Sequence, residues 1–351
     1  MKGSGSSSEA TCAVHWLQGW EDGGQLARAL ESWPFLPCES RSQPAAEAAA
    51  AYLDRLRRLT AGGLVMAARD SGQGMWLAGL RRMDWDSELF GFGVGRLEPL
   101  ISPPGADPCL VEPGLELIGA CLAHAQGAGL MHLSSRVDAR DTAAQRCLQQ
   151  SGFLLVDTIV VYELAVAAVA PAPGEPDVRP ARGEDAVPLR EIAEGCFGNR
   201  AFNLNRFNCD PAFPPGKVRE LYGCWLTNSL SGQQADHVLV YQGQEGPAGF
   251  LTCKLDRAST PGGGRGQVVL NAVRADLHGR GIYGRLTRAA LEWFRAQGAE
   301  TVEIATQLTN PAVHRVWQRL GARMANFYHT FHVDLRNRQH GAAAGPGKTK
   351  P

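Results

Sequence analysis

Val268-Val-Leu-Asn-Ala-Val-Arg-Ala-Asp-Leu-His-Gly-Arg-Gly-Ile-Tyr-Gly-Arg-Leu286 joins a short apolar run to a glycine-bearing turn and the start of an amphipathic helix. The run Val268 to Val273 is β-branched and short, which predicts a covered strand, and Leu286, Ala289, Ala290, Trp293 and Phe294 recur at helical spacing until Gly298 stops the helix. Between strand and helix lie Gly279, Gly281 and Gly284. Glycines there let the backbone approach a ligand closely, and the free N–H groups at the positive end of the following helix attract phosphate or pyrophosphate. The stretch therefore predicts an anion cradle for a phosphorylated cofactor.

A phosphate loop of the ATPase kind ends in Gly-Lys-Ser/Thr, whereas Arg285 and Leu286 follow the glycines here. His278-Gly-Arg-Gly-Ile-Tyr-Gly284 does satisfy the short dinucleotide pattern Gly-x-Gly-x-x-Gly. The next strand, however, ends in Gln307 instead of an acidic residue for a ribose. A glycine-rich connection without any ligand is the remaining alternative.

Downstream, Thr301-Val-Glu-Ile-Ala-Thr-Gln307 has a strand pattern, Asn310-Pro311 opens a helix ending at Gly321, and Met324 to Leu335 returns as a strand. In this order the chain resembles the GNAT superfamily of acyl-CoA N-acyltransferases. The family's pattern of Gln or Arg, two residues, Gly, one residue, Gly or Ala maps onto His278, Gly281 and Tyr283. Its later Asn and Tyr map onto Asn310 and Trp317. The central glycine and the asparagine agree with the family; His278, Tyr283 and Trp317 depart from it.

Further segments are similar to the dTDP-fucosamine acetyltransferase group: Val178-Arg-Pro-Ala-Arg-Gly-Glu-Asp185, Cys196-Phe197, Asn205-Arg-Phe-Asn-Cys-Asp-Pro211, Leu221-Tyr-Gly-Cys-Trp225, Trp85-Asp-Ser-Glu-Leu-Phe-Gly91 and Leu148 to Asp157. The resemblance implies an α/β (α+β) GNAT fold, a mixed central sheet flanked by helices, with a degenerate GNAT-like N-terminal half. It also implies an N-acetyltransferase that moves an acetyl group from acetyl-CoA to the amine of a small molecule, in particular a nucleotide-linked amino sugar, in a ternary complex. In that family the oxyanion faces backbone N–H groups on the strand spanning Leu270 to Val273. The cofactor would accordingly meet Asn271, Ala272 and Val273, then Gly279, Arg280, Gly281, Ile282, Tyr283 and Gly284, with Asn310 beyond. Arg280 either adds charge to a phosphate or is a solvated surface arginine.

A tyrosine at the Trp317 position often protonates the departing thiolate in this family, and an indole N–H lacks the acidity for it. His314, one turn earlier, and Tyr328 or His332 on the last strand are the substitutes, with an exposed helix histidine the alternative for His314. Tyr328, Thr330 and His332 alternate onto one strand face. Where many relatives hold a glutamate base, this chain has Asn271, which orients water but accepts no proton. For the acceptor, Arg206 and Asp210, with Asp86 and Glu88, are polar groups in apolar surroundings; caps and local turns are the competing use of such residues.

With 351 residues and 44% hydrophobic content, the chain is long enough for two domains. A formal charge of zero provides no field to recruit nucleic acid or an acidic membrane. The N-terminus lacks an apolar signal core and no run approaches a spanning helix, so a cytoplasmic location is expected. Nine scattered cysteines without Cys-x-x-Cys spacing argue against a disulfide framework and a zinc site, and no metal is expected. The expected partner is a small-molecule amine, and a homodimer is left open.

Composition divides the chain into a disordered tail over 1–13, an α/β half over 14–164, an Ala/Pro linker over 165–177, a second half over 178–337 and a disordered tail over 338–351. Helices are expected over Leu115 to Ala128 and Thr142 to Ser151, strands over Leu130 to Val137 and Phe153 to Leu164. Gln145-Arg-Cys-Leu-Gln-Gln-Ser-Gly152 echoes His314-Arg-Val-Trp-Gln-Arg-Leu-Gly321, and Asp141 falls where Asn310 caps. This suggests a degenerate duplication in which only the second half has a glycine cradle. A catalytically weak acyl-CoA-binding or scaffold protein, and an amino-acid or antibiotic N-acetyltransferase, remain as alternatives.

Overall fold

A computed structural model describes residues 13–17, 23–35, 45–72, 74–171, 174–200, 203–256 and 264–336. Residues 1–12 and 338–351 of the expected tails, 172–173 of the expected linker and residue 337 of the expected second half lie outside the described residues. The chain forms two compact units. The first holds the described residues up to Glu88, then Phe92–Leu154 and the chain from Phe331 on; the second holds Leu89–Gly91 and Leu155–Thr330.

The chain runs through β1 (His15–Trp16), α1 (Gly23–Ser32), α2 (Ala45–Ala61), β2 (Val65–Asp70), β3 (Met75–Arg82), α3 (Asp84–Phe90), β4 (Val94–Ile101), α4 (Glu112–Gly127), β5 (His132–Asp138), α5 (Thr142–Gln150) and β6 (Leu154–Ala165). It continues with β7 (Val178–Pro180), α6 (Ala186–Phe197), α7 (Pro215–Leu230), β8 (His237–Gly243), β9 (Gly246–Asp256), β10 (Gly264–Val273), α8 (Ile282–Ala296), β11 (Ala299–Gln307), α9 (Pro311–Arg319) and β12 (Arg323–Asp334). The order from β1 to β6, leaving out α3, repeats from β7 to β12. The repeat in element order is therefore longer than the helix-and-strand echo in the sequence.

In the first unit the strand order is β1-β2-β3-β4-β5, and the end of β12 from Phe331 adds to β5. β1–β2, β2–β3 and β3–β4 are antiparallel, and β4 and β5 pair in parallel, as they must when α4 carries the chain back across the sheet. β3 is apolar on both faces because both are covered: Trp76, Ala78 and Leu80 pack under α4 and α5, while Leu77 packs under α1 and α2.

In the second unit the order is β12-β6-β11-β10-β9-β8-β7. The β6–β11, β10–β9, β9–β8 and β8–β7 pairs are antiparallel, and β10–β11, joined by α8, is parallel. Leu286, Ala290, Leu291 and Phe294 of α8 and Trp317 of α9 close the core over Tyr162, Val268, Val302 and Ile304. α8 is seated at Gly266, where an added Cβ would come within 2.5 Å of the Phe294 ring. That close approach holds the C-terminal end of the helix at one height above the sheet. On the neighbouring strands Glu163 and Glu303 lie directly opposite each other, and buried Arg265 pairs with both. Among the described residues no helix is long and apolar enough to cross a membrane.

Candidate active site

The turn before α8 has the backbone its glycines predict. Gly279 and Gly281 have φ of 78° and 75°, and Gly281 is the N-cap of α8. An added Cβ at either would meet nothing within 4 Å, so the space above the turn is open. No side chain caps α8, which leaves the first-turn N–H groups of Ile282, Tyr283 and Gly284 directed into that space at the positive end of a 15-residue helix. α9 differs: its N-cap Asn310 accepts from the Val313 N–H at 3.5 Å, so this asparagine first of all starts a helix.

Arg280 is exposed and makes no ion pair among the described residues. The other arginines nearby are engaged. Arg285 pairs with Asp177 at 2.7 Å and donates to the Tyr241 hydroxyl at 3.2 Å, and Arg288 pairs with Glu175 at 2.6 Å. The acidic end of the Ala165 to Asp177 segment is thereby fastened along the first turns of α8.

Beside the turn, β10 and β11 part. Their ladder runs from Gly264↔Ala299 to Val268↔Ile304, yet β10 continues to Val273 and β11 to Gln307. Past this point β10 stays paired only with β9, through Asn271↔Leu251, Ala272↔Phe250 and Val273↔Gly249. The Arg274 N–H donates to the Ala248 carbonyl at 2.9 Å, which sets the alternation. Ala272 faces β9, while the backbone groups of Asn271 and Val273 face the gap. The Val273 carbonyl in turn accepts from Cys196 Sγ at 3.3 Å and from His278 Nε2–H at 2.9 Å, tying α6 and the glycine turn to the end of the strand. Burial pushes the Cys196 thiol up to about 11, so it stays a protonated donor at neutral pH.

Of the residues expected to handle protons, Trp317 is fully buried, and its Nε1–H donates to the Tyr283 hydroxyl oxygen at 2.8 Å. Burial raises the Tyr283 phenol above its usual range, opposed by that donation, so it is neutral. His314 is half-buried. Its Nδ1 accepts from the Tyr162 hydroxyl at 3.0 Å, and Nε2–H points at the Gln307 and Leu308 carbonyls, each at 3.1 Å. The two ring nitrogens thus fasten α9 to β6 through Nδ1 and to the end of β11 through Nε2. Tyr328 is half-buried in the second unit, and Thr330 is buried. His332 is buried in the first unit, edge-on to His132 with ring centroids 4.7 Å apart.

Among the acceptor candidates, the Arg206 guanidinium lies 4.4 Å from the Phe207 ring centroid. Asp210 is buried and accepts from the Ala212 N–H at 2.9 Å, a local turn bond. Asp86 is buried and Glu88 exposed on α3. Asn205 and Asn208, which carried no expectation, hold the loop between α6 and α7 to the Phe197 carbonyl at 3.1 and 2.7 Å.

In the first unit, β4 and β5 also part, after Arg96↔Ser134. Here side chains bridge them: Ser135 Oγ donates to the Leu97 carbonyl and Ser102 Oγ to Asp141 Oδ1, both at 2.8 Å. Ser102-Pro-Pro-Gly105 stands where the second unit has its cradle. Asp141 is 2% exposed, and burial raises its carboxyl above the ordinary carboxylate range. A raised folded-state value means that Asp141 contributes fully below its unfolded value of 3.8 and that the contribution is lost as pH rises through the folded value. Asp141→Asn keeps the acceptor for Ser102 and for the Ala144 N–H. It is expected to flatten the fall in denaturation midpoint as pH rises above the unfolded value of 3.8, and a variant slope equal to that of wild type would refute this.

Residues 199–322 match the Acetyltransferase (GNAT) family. Over 198 residues the chain is 28% identical to a dTDP-fucosamine acetyltransferase of Escherichia coli O6:H1, covering 55% of this chain and 77% of that protein. It is 23% identical over 206 residues to the spore coat polysaccharide biosynthesis protein SpsD of Bacillus subtilis, covering 56% of this chain and 65% of that one. A GCN5-related N-acetyltransferase from Sphaerobacter thermophilus superposes with a TM-score of 0.57 at 15% identity, covering 92% of this chain and 95% of its own. A tandem GNAT protein from the clavulanic acid biosynthesis pathway gives 0.55 at 14%, covering 92% and 98%. These two likenesses concern the fold alone. Residues 199–322, with an uncapped glycine-led helix beside a parted pair of parallel strands, thus match the Acetyltransferase (GNAT) family in sequence, and the fold is a GNAT fold.

Proposed function

We propose that the second unit transfers an acetyl group from acetyl-CoA to the amine of a nucleotide-linked amino sugar. The observation that carries this reading is the junction of two features: the open cradle at Gly279–Gly281 and the gap beside Asn271 and Val273. A pyrophosphate on the α8 N–H groups would direct an extended thioester arm into that gap. The relatives whose names refer to fucosamine and to polysaccharide biosynthesis favour the sugar acceptor.

In the proposed reaction a neutral amine attacks the thioester carbonyl, the C–S bond breaks, and the thiolate takes up the proton that the nitrogen releases. Asn271 stands on the strand without a carboxylate, so the nitrogen's proton leaves through ordered water. The thiol has a pKa of about 8.5 on the cysteine scale, a tolerable leaving group without a strong acid. The first unit, with its gap bridged by serines, takes no cofactor in this account.

Thiol release from acetyl-CoA, measured across nucleotide-linked 4-amino sugars, aminoglycosides and amino acids, tests the proposal. Release only with the nucleotide sugars is expected, with one CoA bound per chain by calorimetry. Release only with amino acids or antibiotic amines would move the acceptor. CoA binding without release on any amine would favour a binding or scaffold role, the reading that Trp317's burial and Asn271 support.

A further inference from the structure

Between Val268↔Cys253 and Asn271↔Leu251 the β9–β10 register slips, so that Val269 and Leu270 together oppose Thr252. A bulge of this kind leaves one backbone step without its ladder partner. Here a side chain takes the place of that partner. Thr252 Oγ1 accepts from the Leu270 N–H at 2.8 Å and donates to the Leu270 carbonyl at 3.1 Å, and the residue is fully buried. Leu270 is thus held toward β9 through a hydroxyl inserted into the ladder. Strand alternation then directs Asn271 and Val273 away from β9, and the bulge lies where β10 loses β11. Of the strand residues Leu270 to Val273, Leu270 and Ala272 have their N–H groups turned to β9 and closed to a ligand.

We propose that Thr252 is a positioning residue: its hydroxyl sets the bulge that presents the Asn271 and Val273 N–H groups to the carbonyl oxygen of the bound acyl group. The inference rests on the acetyl-CoA reading above. As the amine adds, this oxygen gains the negative charge, and donors already aimed at it need no reorganisation during the reaction. A threonine suits the position because its branched side chain is stiff about χ1, so the hydroxyl stays between the strands.

Thr252→Val keeps the shape and removes the hydroxyl, and Thr252→Ser keeps the hydroxyl on a looser side chain. In the full-length chain, kcat of the valine variant should fall about 10²-fold, as for loss of one oxyanion donor, while CoA affinity by calorimetry stays near wild type, because the cradle is untouched. The serine variant should recover most of kcat. Independently of turnover, the backbone amide shifts of Asn271 and Val273 should differ between CoA-bound and acetyl-CoA-bound wild type, and this difference should vanish in Thr252→Val. Should the valine variant fail to fold, Thr252→Ala, which also lacks the hydroxyl, is read in the same way. Unchanged kcat and unchanged amide shifts in a folded variant overturn the role of Thr252 alone. A wild type that binds no CoA overturns the acetyl-CoA reading and this inference with it.

Discussion

Gly281→Val is expected to weaken CoA binding by about 10- to 100-fold while the second unit remains folded, the loss corresponding to about 1.5–3 kcal/mol for hydrogen bonds to a charged group. Gly281 sits at φ 75°, a left-handed conformation that a β-branched residue adopts only under strain. Relief of that strain turns the peptide and tilts the N–H groups of Ile282 to Gly284 away from their common focus. The added side chain also enters the open space above the turn, where a phosphate would lie. Both effects weaken anion binding, and neither creates a clash in the core. Gly281→Ala should show a smaller loss, since it brings the backbone strain with little bulk. Calorimetric titration with CoA, alongside thermal melts, separates the outcomes: wild-type affinity in Gly281→Val would remove the cradle from the cofactor site.

The order of elements from Val268 to Leu335 was legible because each signal is local. β-branched residues mark β10, the spacing of Leu286 to Phe294 marks α8, and Asn310-Pro311 marks the start of α9. Boundaries were less sharp: α4 begins at Glu112 with a proline in its first turn, ahead of the expected Leu115. The candidate site was legible only in its backbone part, the glycine turn. Its side-chain part depends on pairs far apart in the chain. Trp317 meets Tyr283, 34 residues away, and His314 meets Tyr162, 152 residues away. Thr252 acts only through its register with β10, and a register slip depends on the partner strand, which a single strand's pattern does not carry. The division of the units was hidden for a related reason. β6 closes the first half in sequence but from Leu155 belongs to the second unit, while the end of β12 returns to the first, and neither strand's composition marks the exchange.

Tyr283 and Trp317, two departures from the family pattern, compensate each other, and substitutions at Trp317 should show this. Trp317→Ala should destabilise the second unit by about 3–5 kcal/mol, the range for deleting a fully buried aromatic side chain that leaves a cavity. The indole fills the core among Tyr162, Ile304 and Val313, and its N–H is the donor that Tyr283 accepts on the first turn of α8. With the indole gone, the phenol oxygen loses its donor, and the helix start loses its tie to α9. Loss of CoA affinity should therefore accompany the drop in melting temperature. Trp317→Phe separates packing from proton transfer. It keeps an aromatic ring in the core but loses the N–H and part of the indole volume, so stability should fall by about 1–3 kcal/mol and kcat should remain within a few-fold of wild type. If Trp317→Phe instead lowered kcat more than tenfold with melting temperature and CoA affinity intact, the indole would be acting on the reacting atoms. A joint fall in stability and CoA affinity for alanine, with near-normal turnover for phenylalanine, would place Trp317 in the support of the cradle, its buried N–H spent on Tyr283 and unavailable to a departing thiolate.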